Sequence, residues 1–176
     1  MRSIAAVCSL VLIGSCNSNS TSEGSSKLPG KPGSIQAVEA SLKGKNFKTV
    51  DVGTVSPFQM DKDNPYEWQD NMKDSSAKPY LTERMSFSLH FLNDTGVTIF
   101  DDGQEKLGTY KVDTITNGDE PPGIKLRIAH TEYGFGNDLV TVTYTYPVNG
   151  INDKQLFLLT PRDFNRRKIV VLMEAK

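Results

Sequence analysis

His130 is the side chain of this sequence best placed to bind another molecule. It ends an alternating row after Ile124, Leu126 and Ile128, so its imidazole shares one face of a predicted strand with three apolar residues. If that face lines a barrel, His130 lies near one rim and can hydrogen-bond the polar group of a ligand. The alternative is a rim histidine that water or backbone satisfies. His90 alternates with serines, which predicts an exposed side chain.

Five aromatic side chains complete the predicted ligand-binding set. Aromatic rings provide apolar contact area, and tyrosine hydroxyls add polar contacts, which suits a hydrophobic or amphipathic ligand. The alternative is that the rings fill the core of the domain. The predicted set is His130 with Trp68, Tyr144, Tyr146, Phe87 and Tyr110.

The sequence carries no recognisable catalytic or metal-binding motif. A nucleophile elbow, a His-Glu-x-x-His pair, a phosphate-binding loop and a dinucleotide fingerprint are all missing. Residues 61–67 match a calcium loop in the first two ligand positions, but Pro65 occupies the third. We therefore predict no metal, no cofactor and no enzyme activity. A hydrolase would need a Ser, Asp or Glu beside His130 or His90 in a cleft.

The first sixteen residues have the pattern of a targeting signal. Arg2 precedes an apolar run over residues 4–13, which is too short to anchor a helix in a bilayer. The run ends in Ile13-Gly14-Ser15-Cys16, which resembles the lipobox of bacterial lipoproteins, with isoleucine where leucine is usual. The resemblance implies that residues 1–15 are removed and that Cys16 is acylated. An ordinary secretory signal that is cut elsewhere is the alternative.

An acylated Cys16 would make the membrane the first partner of this protein. Each buried CH₂ of an acyl chain contributes about 0.8 kcal/mol, so several chains, palmitate among them, anchor a protein stably. We expect the chain in the bacterial cell envelope, at the outer rather than the inner membrane, with the leaflet left open. Residues 16–34 are rich in Ser, Asn, Gly and Pro, which predicts a flexible tether.

Residues 35–176 have the size of one domain, which must be stable without disulfides. Cys8 is lost with the signal, so Cys16 is the one cysteine of the mature chain. Of the 20 basic residues only Arg2 is removed, against 21 acidic residues that all remain, so the mature chain is slightly acidic. This charge balance lacks the excess of basic residues that nucleic-acid binding requires.

The domain is predicted to be all-β. Short turns such as residues 93–96 and Asp101-Asp102-Gly103 join strands that alternate between apolar and polar residues. Eight closely spaced strands favour an antiparallel up-and-down barrel or a sandwich, and an eight-stranded barrel is filled by side chains or holds one small ligand. The predicted strands are residues 46–52, 84–91, 97–100, 107–115, 124–131, 139–146, 155–160 and 168–173.

Two further segments complete the expected fold. Ser34 begins a short helix through Leu42, with apolar residues at helical spacing. Residues 53–79 form a long first loop that contains Trp68 and, after Pro65, a possible short helix over residues 67–72. The last two strands are apolar on both faces, so the helix or the Trp68 loop must cover their outer face.

The order of short motifs is similar to that of lipocalin-like domains on small bacterial lipoproteins. The motifs are Gly44-Lys45-Asn46-Phe47, then Gly108-Thr109-Tyr110, a Leu156-Phe157-Leu158 strand, and Arg166-Arg167 before the last strand. Asn46 stands where the family has tryptophan. The resemblance implies a barrel with one closed end, a loop over its open mouth, and a small hydrophobic or amphipathic ligand. The alternative is a filled barrel that binds or inhibits another envelope protein.

Overall fold

The computed structural model describes residues 28–56, 58, 65–72, 76–116, 122–134, 136 and 138–176. The predicted signal peptide, Cys16 and most of the predicted tether lie outside the described residues, as do residues 61–64 of the calcium-like segment. Most of the domain predicted over residues 35–176 is described.

Nine strands and two short helices are the main elements of the described residues, and a turn of 3-10 helix spans Gln69–Asn71. The helices are α1 (Ile35–Leu42) and α2 (Ala77–Arg84). The strands are β1 (Asn46–Val55), β2 (Tyr66–Trp68), β3 (Ser88–Phe91), β4 (Gly96–Asp101), β5 (Gln104–Thr114), β6 (Ile124–Tyr133), β7 (Leu139–Ile151), β8 (Gln155–Phe164) and β9 (Arg167–Ala175).

Eight of the strands close into an antiparallel barrel. The hydrogen-bonded order is β1-β3-β4-β5-β6-β7-β8-β9, and β9 pairs back onto β1 from Phe47–Ala175 to Val55–Lys168. The short β2 adds to β1 outside this ring, with Gly53 opposite Trp68. Each strand pairs with its neighbour in sequence, apart from the insertion of β2, so the predicted eight-stranded up-and-down barrel is confirmed and the sandwich is not formed.

The two ends of the barrel differ. One end, which we call the mouth, carries the β4–β5, β6–β7 and β8–β9 connections. The other end, which we call the base, carries the β3–β4 and β7–β8 turns and α1. At the mouth, Asp102 and Gly103 have positive φ values of 52° and 74°. The sequence predicted this reversal, because Asp and Gly tolerate that conformation.

Helix α1 closes the base. The hydroxyl of Ser34 accepts a hydrogen bond from the backbone N–H of Ala37 at 3.1 Å, which satisfies one of the free donors of the first turn. Val38 and Leu42 are fully buried and belong to the barrel core. The predicted N-terminal helix is therefore confirmed, and it covers the base of the barrel rather than the outer face of the last strands.

Inward-facing side chains fill the barrel. Phe91 lies against Phe47 and Tyr110 in edge-to-face contacts, with ring centroids 6.1 and 4.8 Å apart. Such aromatic pairs add to the stabilisation from burial alone. The other inward-facing residues of this core include Leu89, Val97, Leu126, Ile128, Leu156, Leu158, Ile169 and Val171.

A second apolar cluster lies on the outer wall, and we call it the outer cluster. It comprises Val55, Phe157, Leu159, Val170 and Leu172, with Leu28, Tyr66 and Trp68 packed against it. Phe157 contacts both rings from the long connection, at centroid distances of 4.9 Å to Tyr66 and 5.9 Å to Trp68. The apolar outer faces of β8 and β9 are thus covered by the Trp68 segment, one of the two covers that the sequence predicted.

Residues 28–30 strap the start of the domain to the wall. The backbone N–H of Ile151 donates to the carbonyl of Gly30 at 3.0 Å. A Cβ built on Gly150 would lie 2.3 Å from the carbonyl oxygen of Pro29, so glycine is required for this close approach. The last residues of the predicted tether are therefore part of the folded domain.

Three local predictions were wrong. Residues 84–87 are not part of a strand, because α2 runs through Arg84 and β3 begins only at Ser88. Pro79 does not prevent that helix, since it stands in the first turn, where the missing N–H has no helical partner. The helix expected over residues 67–72 is a strand followed by a 3-10 turn at Gln69–Asn71. Strands β7 and β8 were predicted to end before Pro147 and Pro161, but both continue beyond these prolines.

Candidate functional site

Four charged side chains meet at the mouth, and we call them the mouth cluster. Arg84, at the end of α2, donates to Asp101 Oδ1 at 2.7 Å and to Asp102 Oδ1 at 2.6 Å. From β8, Arg162 donates to Asp101 Oδ2 at 3.2 Å and to Asp102 Oδ2 at 3.1 Å. Two guanidinium groups therefore hold both carboxylates of the β4–β5 turn, and they tie α2 across the mouth to β4 and β8.

The mouth cluster is only partly screened by solvent. The Arg84 side chain is 6% exposed, whereas those of Asp101 and Asp102 are 22% and 49% exposed. Arg84 Nε has no hydrogen-bond partner among the described residues. Burial alone would raise the pKa of Asp102, but hydrogen bonds and charge from Arg162 and Arg84 outweigh it and lower that pKa.

The depressed pKa of Asp102 predicts a loss of stability in acid. The unfolded carboxyl has a pKa of about 3.9, so the contribution is complete above that value and is lost as pH falls toward the lower folded pKa. Urea unfolding between pH 6 and pH 2.5 should show this loss. Asp102→Asn should remove part of it, and an unchanged pH profile in that variant would contradict the assignment.

A cavity of about 20 Å³ lies directly beneath the mouth cluster. A single water requires a cavity of about 10–15 Å³ on this measure, whereas small-molecule pockets run to about 300–1,000 Å³. The space therefore has room for one water and not for a lipid or a drug-sized ligand. Its lining consists of Arg84, Phe87, Asp101, Tyr144, Tyr146, Thr160, Pro161, Arg162 and Val171.

The barrel wall is irregular beside this cavity. The described pairing of β7 with β8 runs from Ile151–Leu156 to Val148–Leu158 and goes no further toward the mouth. Pro147 is the next residue of β7 on that side, and Pro161 lies on the facing part of β8. Because proline has no N–H to donate, each weakens the ladder where it stands. Residues of both strands on this side of the last pair line the cavity: Tyr144 and Tyr146 of β7, and Thr160, Pro161 and Arg162 of β8.

Four of the six predicted ligand-binding residues lie together in the mouth half of the interior. Phe87 stacks on Tyr146, with ring centroids 5.8 Å apart, and His130 stacks on Tyr144 at 5.6 Å. Burial raises the pKa of the Tyr146 phenol far above its ordinary value. These side chains face inward as predicted, but they pack against one another and enclose little empty space.

The other two predicted residues lie elsewhere. Tyr110 points toward the base, where its hydroxyl donates to the backbone carbonyl of Asn93 at 3.0 Å. Trp68 lies on the outer wall with Tyr66 and Phe157, separated from the interior by the sheet itself. The structure therefore does not bring Trp68 or Tyr110 to one site with His130.

His130 makes a polar cluster with two neighbours. Its Nε2 lies 3.1 Å from Glu132 Oε2 and 3.4 Å from Lys106 Nζ, and Lys106 also donates to Glu132 at 3.0 Å. The hydrogen bonds from Lys106 and then His130 lower the pKa of Glu132. His130 is 4% exposed, and its Nδ1 has no partner among the described residues.

This cluster has one of the features that a hydrolase would need, a carboxylate beside a histidine. The hydrogen bonds described for His130 are to Glu132 and Lys106, and no hydroxyl or thiol nucleophile of the described residues is among its partners. A catalytic dyad requires a base within reach of its nucleophile. The arrangement is that of a histidine held inside the rim. His90, in contrast, is exposed as predicted.

The mouth cluster is not predictable from the local sequence pattern. That pattern places Arg84 in a strand, Asp101 and Asp102 in a turn, and Arg162 in another turn. Nothing local joins these residues, because Arg162 is 60 positions from Asp102 in sequence. The one available signal is a pair of acidic residues in a tight turn, which is a common feature of surface turns.

Across the described ranges, no group of three or more His, Cys, Asp or Glu side chains is arranged to hold a metal ion. None of the helices in those ranges is both long and apolar enough to cross a bilayer. Comparisons of the chain with protein-family models, with curated proteins and with solved structures find no match. The role of the protein is therefore inferred from its own residues and fold.

Proposed function

We propose that this chain is a lipid-anchored protein of the bacterial cell envelope whose barrel binds another envelope protein through its surface. The observation that supports this most is the filled interior. Helix α1 closes the base, buried apolar side chains occupy the core, α2 and the mouth cluster lie at the mouth, and the cavity beneath that cluster measures about 20 Å³. A barrel of this kind is a rigid support for surface contacts rather than a container.

The proposal includes acylation of Cys16 and a relationship to lipocalin-like lipoproteins. The lipobox pattern supports the first. The closed eight-stranded barrel, with a short helix at its base and a long connection after its first strand, supports the second. Fold alone does not carry the ligand-binding activity of such a family to this chain.

A polar depression at the base suits a protein partner. It lies over the β7–β8 turn, is open to solvent, and has a volume of about 660 Å³. Charged and amide side chains occur in the polar, solvent-accessible rim of non-obligate interfaces and are poor ligands for an apolar molecule. Its lining among the described residues is Asn152, Asp153, Lys154, Gln155, Glu174 and Ala175.

Photo-crosslinking in living cells tests the partner. A crosslinking residue in place of Gln155 should capture one envelope protein, and the double variant Lys154→Glu, Glu174→Lys should reduce the yield at least about tenfold, as reversed charges do at polar interfaces. The variant Lys111→Glu, on the wall at β5, is the matched control. Equal crosslinking yields from the parent protein, the double variant and the Lys111→Glu control would refute this function. Capture of no partner at any wall or base position would also refute it.

Ligand binding is the second candidate, and the mouth cluster is the observation that favours it. Release of Arg84 from both carboxylates would remove the ion pairs at the end of α2 and loosen the cover over Phe87, Tyr144 and Tyr146. Trp68 fluorescence would not report such an event, because this residue lies on the outer wall.

Methyl NMR of Leu126 and Ile128, which are fully buried inside the barrel, is the direct measurement of ligand binding. We expect no saturable shifts with fatty acids, phospholipids or sterol-like molecules. Saturable one-to-one shifts would establish the ligand-binding function instead of the filled-barrel function.

A further inference from the structure

Five large apolar side chains are exposed around the β6–β7 hairpin, and we call them the hairpin patch. Leu107, Tyr133 and Leu139 are 72%, 75% and 67% exposed, and Phe100 and Val140 are 37% and 40% exposed. An exposed apolar group of this size marks a contact with a protein or a membrane.

Strand register places the hairpin patch in two apolar pairs on the outer face, and exposed Glu105 lies opposite Phe100. Tyr133 is directly opposite Leu139 in the β6–β7 pair. On β4 and β5, Leu107 pairs with Thr98, so it lies diagonally beside Phe100 on the same outer face. Val140 follows Leu139 and faces the inside of the rim. All five residues lie in the mouth half of the barrel.

The start of the domain points toward the same end. Followed toward the N-terminus, the chain contacts Ile151 at Gly30, then Gly150 at Pro29, and then the outer cluster at Leu28. It therefore moves from the base toward the mouth as it approaches the anchor. Residues 17–27 separate Leu28 from Cys16. A segment of this length reaches about 40 Å when fully extended and about 20 Å on average as a flexible coil.

We propose that the mouth end of the barrel lies on the lipid bilayer that holds the acylated Cys16, with the hairpin patch inserted into the lipid interface. This orientation rests on the lipid anchor of the proposed function, and it adds which end of the barrel meets the membrane. The base, with its polar depression, then faces away from the bilayer and toward the partner.

A bilayer fits the hairpin patch better than a protein surface does. The anchor keeps the mouth close to the bilayer at all times. The effective concentration of lipid at the hairpin patch is therefore high, and even weak apolar contacts with lipid form. Tyrosine is favoured at the membrane interface because its ring is apolar and its hydroxyl meets water. The outer face of β7 adds uncharged Thr141 and Thr143, which have no ionic hydration shell to lose. A charged side chain beside the patch is exposed Glu105 of β5, opposite Phe100.

Fluorescence quenching by lipid measures the orientation directly. The full acylated chain, with Trp68→Phe to remove the native tryptophan, is reconstituted in vesicles of phosphatidylethanolamine and phosphatidylglycerol with brominated acyl chains. Leu139→Trp at the mouth should be quenched at least about twofold more than Lys154→Trp at the base. Equal quenching, or stronger quenching at the base, would overturn the proposed orientation.

A second measurement separates the patch from the anchor. Mass spectrometry of the N-terminal peptide first establishes whether Cys16 is acylated, so a failure of the anchor is recognised independently. The protein that begins at residue 17 should bind the same vesicles weakly, and Tyr133→Ser with Leu139→Ser should lower that partition at least about tenfold, since each residue loses part of its apolar burial.

The matched control is Thr141→Ser with Thr143→Ser on the same hairpin, which should leave partition unchanged. Equal partition of the patch variant and the control would overturn the role of the patch. Capture of an envelope protein by a crosslinker at Leu139, with no lipid quenching there, would also overturn it and would assign the patch to a protein partner.

Discussion

Phe91→Ala is expected to lower the free energy of unfolding by about 3–5 kcal/mol, the range for removing a buried phenylalanine from a core. Phe91 is fully buried and contacts Phe47 and Tyr110 edge to face. Phe47 belongs to β1, which pairs with β3, and Tyr110 belongs to β5, which lies one strand beyond β4. Loss of the ring leaves a cavity that these strands, fixed by their hydrogen bonds, have little freedom to close.

Urea unfolding followed by circular dichroism measures this effect. Phe58→Ala is the matched control, because Phe58 is 96% exposed and its removal should change stability by less than about 0.5 kcal/mol. Phe91→Leu should fall between the two, since it fills part of the space. A loss below about 1 kcal/mol in Phe91→Ala would show that the interior is not packed as described and would reopen the barrel to a ligand.

Arg84→Met is expected to cost about 2–4 kcal/mol, near the range for removing one partner of a buried ion pair. Methionine keeps much of the side-chain volume, so the loss reports the charge. Asp101 and Asp102 would then face each other at the turn with Arg162 as their one remaining cation in the mouth cluster. The end of α2 would lose both of its ion-pair contacts to the β4–β5 turn.

Two variants test whether the ion pairs cause this loss. Lys43→Met removes an ion pair of equal length, 2.7 Å to Asp94, between side chains that are 63% and 75% exposed, and should cost less than about 1 kcal/mol. Asp101→Asn with Asp102→Asn in the Arg84→Met background should restore part of the stability by removing the unpaired charges. If Arg84→Met costs no more than Lys43→Met, the mouth cluster does not hold α2 in place.

Alternation and turn chemistry made most of the barrel predictable. The β6 row from Ile124 to His130 faces inward as its spacing indicated, and the Asp102–Gly103 reversal has the predicted positive φ angles. Ser34 caps α1 as expected. These features are local, because each depends on residues that are neighbours in sequence.

The features that the sequence did not predict depend on distant contacts. Helix α2 has little apolar periodicity of its own, and it is held by Arg84 and by the stacking of Tyr80 on Phe164, 84 positions away in sequence. Trp68 is an apolar side chain in a long connection, and its pairing with Gly53 of β1 and its contact with Phe157 place it on the outer wall. Whether six rings form a pocket or fill a core is set by volumes that no residue pattern contains.

The attachment of residues 28–30 to Gly150 and Ile151 determines how the barrel would respond to mechanical load. A pull on an anchored N-terminus would reach the fold first at Leu28 in the outer cluster and at the hydrogen bond from Ile151 to Gly30. Tension would therefore be taken up by the wall at β7 and β8, and α1 would remain seated in the base while this attachment holds. If the chain is anchored as proposed, a lateral force on the anchor would detach residues 28–30 from the wall and lengthen the reach of the domain without opening its core.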